Sequence, residues 1–451
     1  MSLPKYPEYK DSGAAWLGEV PAHWAIAPLK HLVSFTSGGT PSKEIPEYWD
    51  GRVPWASAKD LKSQRLSDTT DHITEYAVSS GAASLVPVGT ALVVVRGMIL
   101  ARTFPVTQTL TPMAINQDLK GVRPTDQLDT NFLPWLLRGS ADESLQRLDE
   151  AGHGTKALRM DAWSSMRLPV PPHEEQEAIA TFLDRETGKI DALIAEQEKL
   201  IALLAEKRQA TISHAVTKGL NPDVPMKDSG VAWLGEVPGH WDVFPLKRAL
   251  RFLTSGSRGW AEHYSDSGAL FLRIGNLSRE GIELDLSDIQ RVAVPDGAEG
   301  ERTKVQPGDV LFSITAYLGS VAVVPPEIET AYVSQHVALA RIDVDKLQPH
   351  WCAYVTLSRI GKTYLETQGY GGTKIQLSLE DVASLVLTVP PLSEQLAING
   401  FLDAETSRLD ALTTEAARAI GLLQERRSAL ISAAVTGKID VRAPITEPEP
   451  A

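Results

Sequence analysis

Residues 171–217 read PPHEEQEAIATFLDRETGKIDALIAEQEKLIALLAEKRQATISHAVT, and residues 390–436 read PPLSEQLAINGFLDAETSRLDALTTEAARAIGLLQERRSALISAAVT. They are one segment written twice, 219 positions apart. After the first Pro-Pro stop, residues 174–216 hold no proline and one glycine, Gly188. Ile190, Leu193, Gln197, Leu200, Leu204 and Thr211 fall at helical spacing among Glu, Lys and Arg, and Leu409, Leu412, Ala416, Ala419, Leu423 and Leu430 repeat the pattern. Ile194, Ile201, Leu203 and Ile212, with Ile420, Leu422 and Ile431 in the second copy, widen the stripe beyond a two-helix seam. So wide a face suits a multi-helix bundle in which the two long helices pair and still offer these seven residues to a partner. The plainer alternative is an amphipathic helix packed on its own domain. The stretch 189–216 predicts a helix of ~28 residues, ~42 Å long at 1.5 Å per residue.

Outward from the helices the duplication continues. Residues 10–32, KDSGAAWLGEVPAHWAIAPLKHL, return as KDSGVAWLGEVPGHWDVFPLKRAL from Lys227. Between these matched segments the likeness is fainter: NQDLKGVR (116–123) faces SQHVALAR (334–341), and GHGTK (152–156) faces YGGTK (370–374). A period above 200 residues is far too long for a solenoid, so whole domains are duplicated. Short apolar runs such as ALVVVR (91–96), VLFSITAY (310–317) and VAVVP (321–325), punctuated by Gly, Pro and Asp, predict strands. Helices are expected near 132–140 and 351–366. The fold class expected is α+β: two tandem α+β domains separated by two long antiparallel coiled-coil helices, with pseudo-twofold symmetry. The segments are a frame piece at 1–27, a first head at 28–168, a helical spacer at 169–222, and the frame again at 223–244. A second head at 245–388, a second spacer at 389–440 and a disordered tail at 441–451 complete the chain.

The pattern VPP-x-x-EQ-x-AI-x-x-FLD-x-ET, present at 170–187 and 389–406, resembles the conserved region of type I restriction–modification specificity subunits. So do the WLG-x-VP-x-HW segments at 16–24 and 233–241, and SGGTPS…YWDGRVPWASAKDL at 37–61 resembles the start of a target-recognition domain. The second head opens SGSRGWAEHY (255–264) and departs from that pattern, which implies that the heads read different DNA. The resemblance implies a subunit without chemistry of its own that reads a bipartite, asymmetric site in double-stranded DNA. It implies two adenine-N6 methyltransferase subunits and two motor-nuclease subunits as partners. S-adenosylmethionine, ATP and magnesium would then sit on those partners, with no cofactor or metal in this chain.

The residues agree with an absence of chemistry. There is no (N/D)PP(Y/F) loop of the kind that holds an adenine amino group. Gly361-Lys362-Thr363 imitates the end of a P-loop, but Thr356 stands where the first glycine is needed. The ten histidines include no HExxH, and one cysteine, Cys352, allows neither a disulfide framework nor a thiolate zinc site. No apolar run reaches ~18 residues and no secretory leader is found, so no membrane role and a cytoplasmic protein are expected.

DNA contacts require Lys and Arg for phosphates, and Arg, Lys, Asn, Gln, Ser or Thr for base edges. The first head's candidates are Lys43, Arg52, Lys59, Arg96, Arg102, Asn116, Gln117, Lys156 and Arg159, all close to Gly or aromatic residues. The second head's are Ser257, Arg258, Arg273, Asn276, Arg279, Tyr317, Gln335, His336 and Lys374. His23 and His240, in the shared frame, read as structural. The overall charge of −13 is spread unevenly: zero over 28–168 and −3 over 245–388. The heads are the least acidic parts but not basic ones, so weak DNA binding by the chain alone is expected. A free-standing bivalent DNA-binding protein, a nuclease fused to its recognition domains and a coiled-coil scaffold are the competing readings. The missing catalytic motifs oppose the second. The third leaves two matched but diverged inserts unexplained.

Overall fold

The computed structural model describes residues 4–150, 154–256, 258–294, 298–370 and 375–442, without the side chains of 298 and 299. The chain forms two compact units. One holds residues 1–196 together with 419–451, and the other holds 197–418. The division is therefore not the simple succession of segments that the sequence suggests. The end of the second long helix belongs with the first head.

Each duplicated segment is a single helix longer than expected, His173–Lys218 with 46 residues and Leu392–Val435 with 44. Gly188 does not interrupt the first. An interior glycine costs only about 1 kcal/mol, and the turns before it bury Ile179, Phe182 and Leu183. Within the first unit the two helical segments run antiparallel: Asp191 pairs with Arg427 at 2.8 Å, while Glu175, at the helix start, meets Arg442 beyond the other helix's end at 3.4 Å. Within the second unit Lys207 pairs with Glu405 at 3.6 Å, and Arg208 pairs with Asp410.

Both heads are built alike. In the first, Ala25–Pro28 pairs antiparallel with Arg167–Val170 and closes the insert at its base. Above it stand a five-stranded sheet, ordered Val33–Ser37, Leu119–Pro124, Ala91–Val94, Val106–Thr109, Arg65–Leu66, and a four-stranded sheet around Trp49–Ala56 and Met113–Ile115. In the second, Asp242–Pro245 pairs with Val386–Val389, below a sheet ordered Leu250–Ser255, Val337–Ile342, Val310–Ser313, Val321–Val323. The other sheet runs Tyr264–Ser265, Arg291–Val292, Ala269–Leu272, Ala331–Val333. Ala91–Val94 and Val310–Ser313 are buried along their whole length, as continuous apolar runs covered on both faces should be. Helices Phe132–Gly139, Pro349–Leu357 and Arg359–Gln368 fall where the sequence placed them.

The repeated motifs are fasteners. Glu175 accepts from Trp24 Nε1 (2.9 Å) and pairs with His23 (2.6 Å); Glu394 does the same with Trp241 (3.1 Å) and His240 (2.7 Å). The next residue, Gln176 or Gln395, accepts from the backbone N–H of Asp129 (2.7 Å) or Gln348 (2.8 Å) at the approach to the head's helix. The aspartate of Phe-Leu-Asp ties the long helix to that same head helix, Asp184 to Trp135 Nε1 at 3.1 Å and Asp403 to the Tyr354 hydroxyl at 2.6 Å. The glycine after each long helix has positive φ, +74° at Gly219 and +72° at Gly437, as a helix C-terminus favours. A Cβ there would stand 3.2 Å from Trp241 or 2.3 Å from Pro21.

Each unit's core is thus completed by the other copy's helix end. Ile212, Ala215 and Val216 join Trp241 and Trp351, and Ile431, Ala434 and Val435 join Trp24 and Trp135. This corrects the expectation that Ile212 and Ile431 face a partner protein. At 2% and 4% exposure they are core residues of their own units. Ile194, Ile201 and Ile420 are half-buried, while Leu203 and Leu422 are exposed. The tail also begins later than 441, because Val441 is buried and Arg442 is bonded to Asp440 at 2.7 Å. Residues 443–451 lie outside the described residues.

Cys352 is fully buried among Trp351, Ala353 and Tyr354, and burial pushes its thiol up to about 12. A thiol held protonated is a poor nucleophile. Iodoacetamide at neutral pH is expected to leave Cys352 unmodified in the native chain and to alkylate it fully after denaturation, as read by intact mass. Rapid alkylation of the native chain would contradict the packing.

Candidate nucleic-acid interface

Each head carries an exposed turn where the chain crosses from one sheet to the other. In the first, Met113–Ile115 leads through Asn116, Gln117 and Asp118 into Leu119–Pro124; in the second, Ala331–Val333 leads through Ser334, Gln335 and His336 into Val337–Ile342. The closing hydrogen bonds correspond, Leu119 N–H to Asn116 O (3.2 Å) and Val337 N–H to Ser334 O (2.9 Å). So do those to the neighbouring strand, Val95 N–H to Asp118 O (2.8 Å) and Ile314 N–H to His336 O (3.1 Å).

A glycine presses on each turn from the facing segment. A Cβ on Gly38 would stand 2.1 Å from Asn116 O, and one on Gly256 would stand 2.0 Å from Val333 O. These atoms are backbone, so the contact admits glycine alone. The repeated Ser-Gly of the two head openings is legible in this light: it braces the turn.

In the second head Arg258, Gln335 and His336 line one cleft of 380 Å³ together with Thr315, Tyr370 and Gln376. Gln335 Nε2 donates to His336 Nε2 at 3.1 Å. Tyr317, 57% exposed, follows Thr315 on a loop where Ala316 takes φ +61°, a strained value for a residue with a Cβ. In the first head Thr40 donates to Gln117 Oε1, and Gln117 Nε2 lies 3.5 Å from Asp118 Oδ2. Met98, 68% exposed, occupies the position corresponding to Tyr317.

Other candidates are placed differently. Asn276 is 3% exposed; it accepts from Arg273 N–H (2.8 Å) and donates to Asp285 O (2.8 Å), so it shapes a loop and is no base reader. Asn116 is also buried, and its Oδ1 accepts from Asp118 N–H at 3.1 Å, which fixes the turn beside Gln117. Arg273 pairs with Asp288 (2.9 Å). Arg279 pairs with Glu366 (3.0 Å) and lines a cavity against the long helix with Arg208 and Lys362, whose lining does not include the turn residues Gln335 and His336. In the first head Lys59 pairs with Asp71 (2.7 Å), Lys156 with Glu150 (2.6 Å) and Arg159 with Asp149 (3.5 Å). Lys43, Arg52, Arg96 and Arg102 are exposed, and among the described residues none has a carboxylate partner. Ser257 and Lys374 lie outside the described residues. Thr40, Asp118, Thr315, Tyr370 and Gln376 were missed. The 218-residue match between Gln117 and Gln335 was the signal that could have led to them.

Among the described residues no cluster of His, Cys, Asp and Glu could hold a metal ion, and no helix is long and apolar enough to cross a membrane.

The sequence profile of the type I restriction modification DNA specificity domain matches residues 21–202 and 274–420. The chain is 29% identical over 187 residues to the EcoR124I/EcoR124II specificity subunit of Escherichia coli, covering 41% of this chain and 45% of that one. It is 26% identical over 299 residues to the MjaIX specificity subunit of Methanocaldococcus jannaschii, covering 64% and 65%. The chain thus spans between about half and two thirds of the length of these two relatives. With the EcoKI specificity subunit of E. coli K12 the likeness is 22% over 94% of this chain and 90% of the other. A chain solved in work on complex assembly and conformational transition of the type I R-M system superposes with a TM-score of 0.71 at 17% identity, over 92% of this chain and 98% of that one, which shows a shared fold. With the two profile matches lying on its two heads and long helices, the chain belongs to the type I restriction–modification DNA specificity family.

Proposed function

We propose that this chain is the non-catalytic DNA-reading subunit of a type I restriction–modification complex, each head reading one half of a bipartite asymmetric site. One observation carries this. The Glu–His–Trp and Gln–backbone fasteners recur in both copies, while the side chains around the two exposed turns have diverged, Thr40 and Asp118 against Arg258 and His336. A constant frame suits identical protein partners, and a varied tip suits two different DNA sequences. Leu193 and Leu422 in the first unit, and Leu200, Leu203 and Leu412 in the second, leave apolar surface on the long helices. Two methyltransferase subunits would take that surface, joined by two motor-nuclease subunits, with S-adenosylmethionine, ATP and magnesium bound by those partners.

Selection from a randomised duplex library with the chain and its methyltransferase subunits tests this. Two specified blocks separated by an unspecified gap are expected. One contiguous block, or no enrichment, would overturn it.

Internal ion pairs also claim several head cations that phosphates would need. Affinity of the chain alone is therefore expected in the non-specific range, a Kd of ~10⁻⁶–10⁻⁴ M at physiological salt. Fluorescence anisotropy reads it; nanomolar binding without partners would contradict this.

A further inference from the structure

Gln117 and Gln335 are the same residue at the same place in two heads that otherwise present different chemistry. The correspondence is structural as well as sequential. Both follow a buried polar residue, Asn116 or Ser334, whose N–H is bonded to the carbonyl of Ala56 or Leu272 at 2.9 Å. Both precede a residue whose carbonyl is held by Val95 or Ile314. Both turns are pinned from outside by the glycine that tolerates no Cβ. Each glutamine is nonetheless exposed. A side chain exposed to solvent, with only other turn and cleft residues as polar partners, is not kept in place by the core, so the frame's demands do not explain it. What the frame does supply is a rigid backbone under a carboxamide.

A carboxamide offers one acceptor and one donor side by side. Along the major-groove edge, that pair matches N6–H and N7 of adenine. The neighbours offer opposite chemistry: Asp118 is an acceptor beside Gln117, whereas Arg258 lines the cleft of Gln335 and is a donor suited to guanine.

We propose that Gln117 and Gln335 each read an A·T pair at the same step of their respective half-sites, and that the flanking residues make the two half-sites differ. This rests on the reading of the chain as a bipartite DNA-recognition subunit.

The test uses the full chain assembled with the methyltransferase subunits of its own system, as wild type, Gln117→Ala and Gln335→Ala, on a randomised duplex library. Both side chains are exposed, so unchanged thermal unfolding checks that the variants fold. The wild type is expected to specify A·T at one step, counted from the inner edge, in both half-sites. Gln117→Ala should lower discrimination at that step about tenfold in one half-site and leave the other intact, and Gln335→Ala should do the reverse. A bipartite motif whose base preferences are unchanged in both variants would overturn the proposal. So would a uniform loss of binding without any change of preference, or relaxation at different steps in the two halves. A wild-type complex that specifies no bipartite motif overturns the reading beneath it, and the proposal with it.

Discussion

Gly256→Ala is expected to abolish recognition of one half-site while the other is still read. The new methyl would lie 2.0 Å from Val333 O and 2.2 Å from Ser334 O. Flexible side chains can yield to such a contact, but these carbonyls belong to the crossing between two sheets. Relief therefore means moving the turn that carries Gln335 and His336. Overpacking of this kind costs about 1–3 kcal/mol, and a backbone contact belongs at the upper end. Gly38→Ala should act in the same way on the first head, where Asn116 O and Ile115 O lie 2.1 and 2.2 Å away. Library selection with each variant complex, beside chemical denaturation, measures both effects. A glycine variant that keeps wild-type preferences in its own half-site would show that the turn does not read DNA.

The second large effect separates two carboxylates that the sequence presents as equals. Glu175 is 9% exposed at its side chain and holds four groups: His23, Trp24 Nε1, the Tyr6 hydroxyl (3.2 Å) and Arg442. Glu394 is 30% exposed and holds His240 and Trp241. The difference arises because Tyr6 and Arg442 also reach the corner at Glu175. Beside it, Asp440 N–H donates to Pro4 O at 2.8 Å. Burial, with Glu175 beside it, drives the Tyr6 phenol far above its ordinary range, so its proton stays as a donor. Glu175→Ala strands a buried hub and is expected to cost about 3–5 kcal/mol, against about 1–3 for Glu394→Ala. Urea denaturation of the two variants reads the difference. Equal losses, or a larger one at Glu394, would contradict this account of the corner.

Much of the architecture was legible because its signals are periodic. The duplicated helices, the framed inserts and the buried strand Ala91–Val94 follow from spacing and apolar runs that few other folds satisfy. What escaped depended on partners distant in sequence. Nothing local to Ile212 says that it enters the core around Trp241 and Trp351, because the helix end serves the next copy's frame. Nothing local to Asn276 distinguishes a carboxamide that spans Arg273 and Asp285 from one that faces solvent. The charged candidates were harder still. Whether Arg273 or Lys59 is available to a phosphate turns on Asp288 and Asp71, which the fold brings alongside. By contrast the shared glutamine was already visible in the faint match of 116–123 to 334–341. It gained meaning only once that match proved to be the exposed crossing of each head.

The central claim is that one chain reads two unlike half-sites through a duplicated frame. Mapping N6-methyladenine across the genome of the source cell, with and without this chain, tests it most directly. The account predicts a two-part asymmetric motif with an unspecified gap, methylated on both strands and lost when the chain is removed. A continuous palindromic motif, or methylation unchanged by removing the chain, would contradict it.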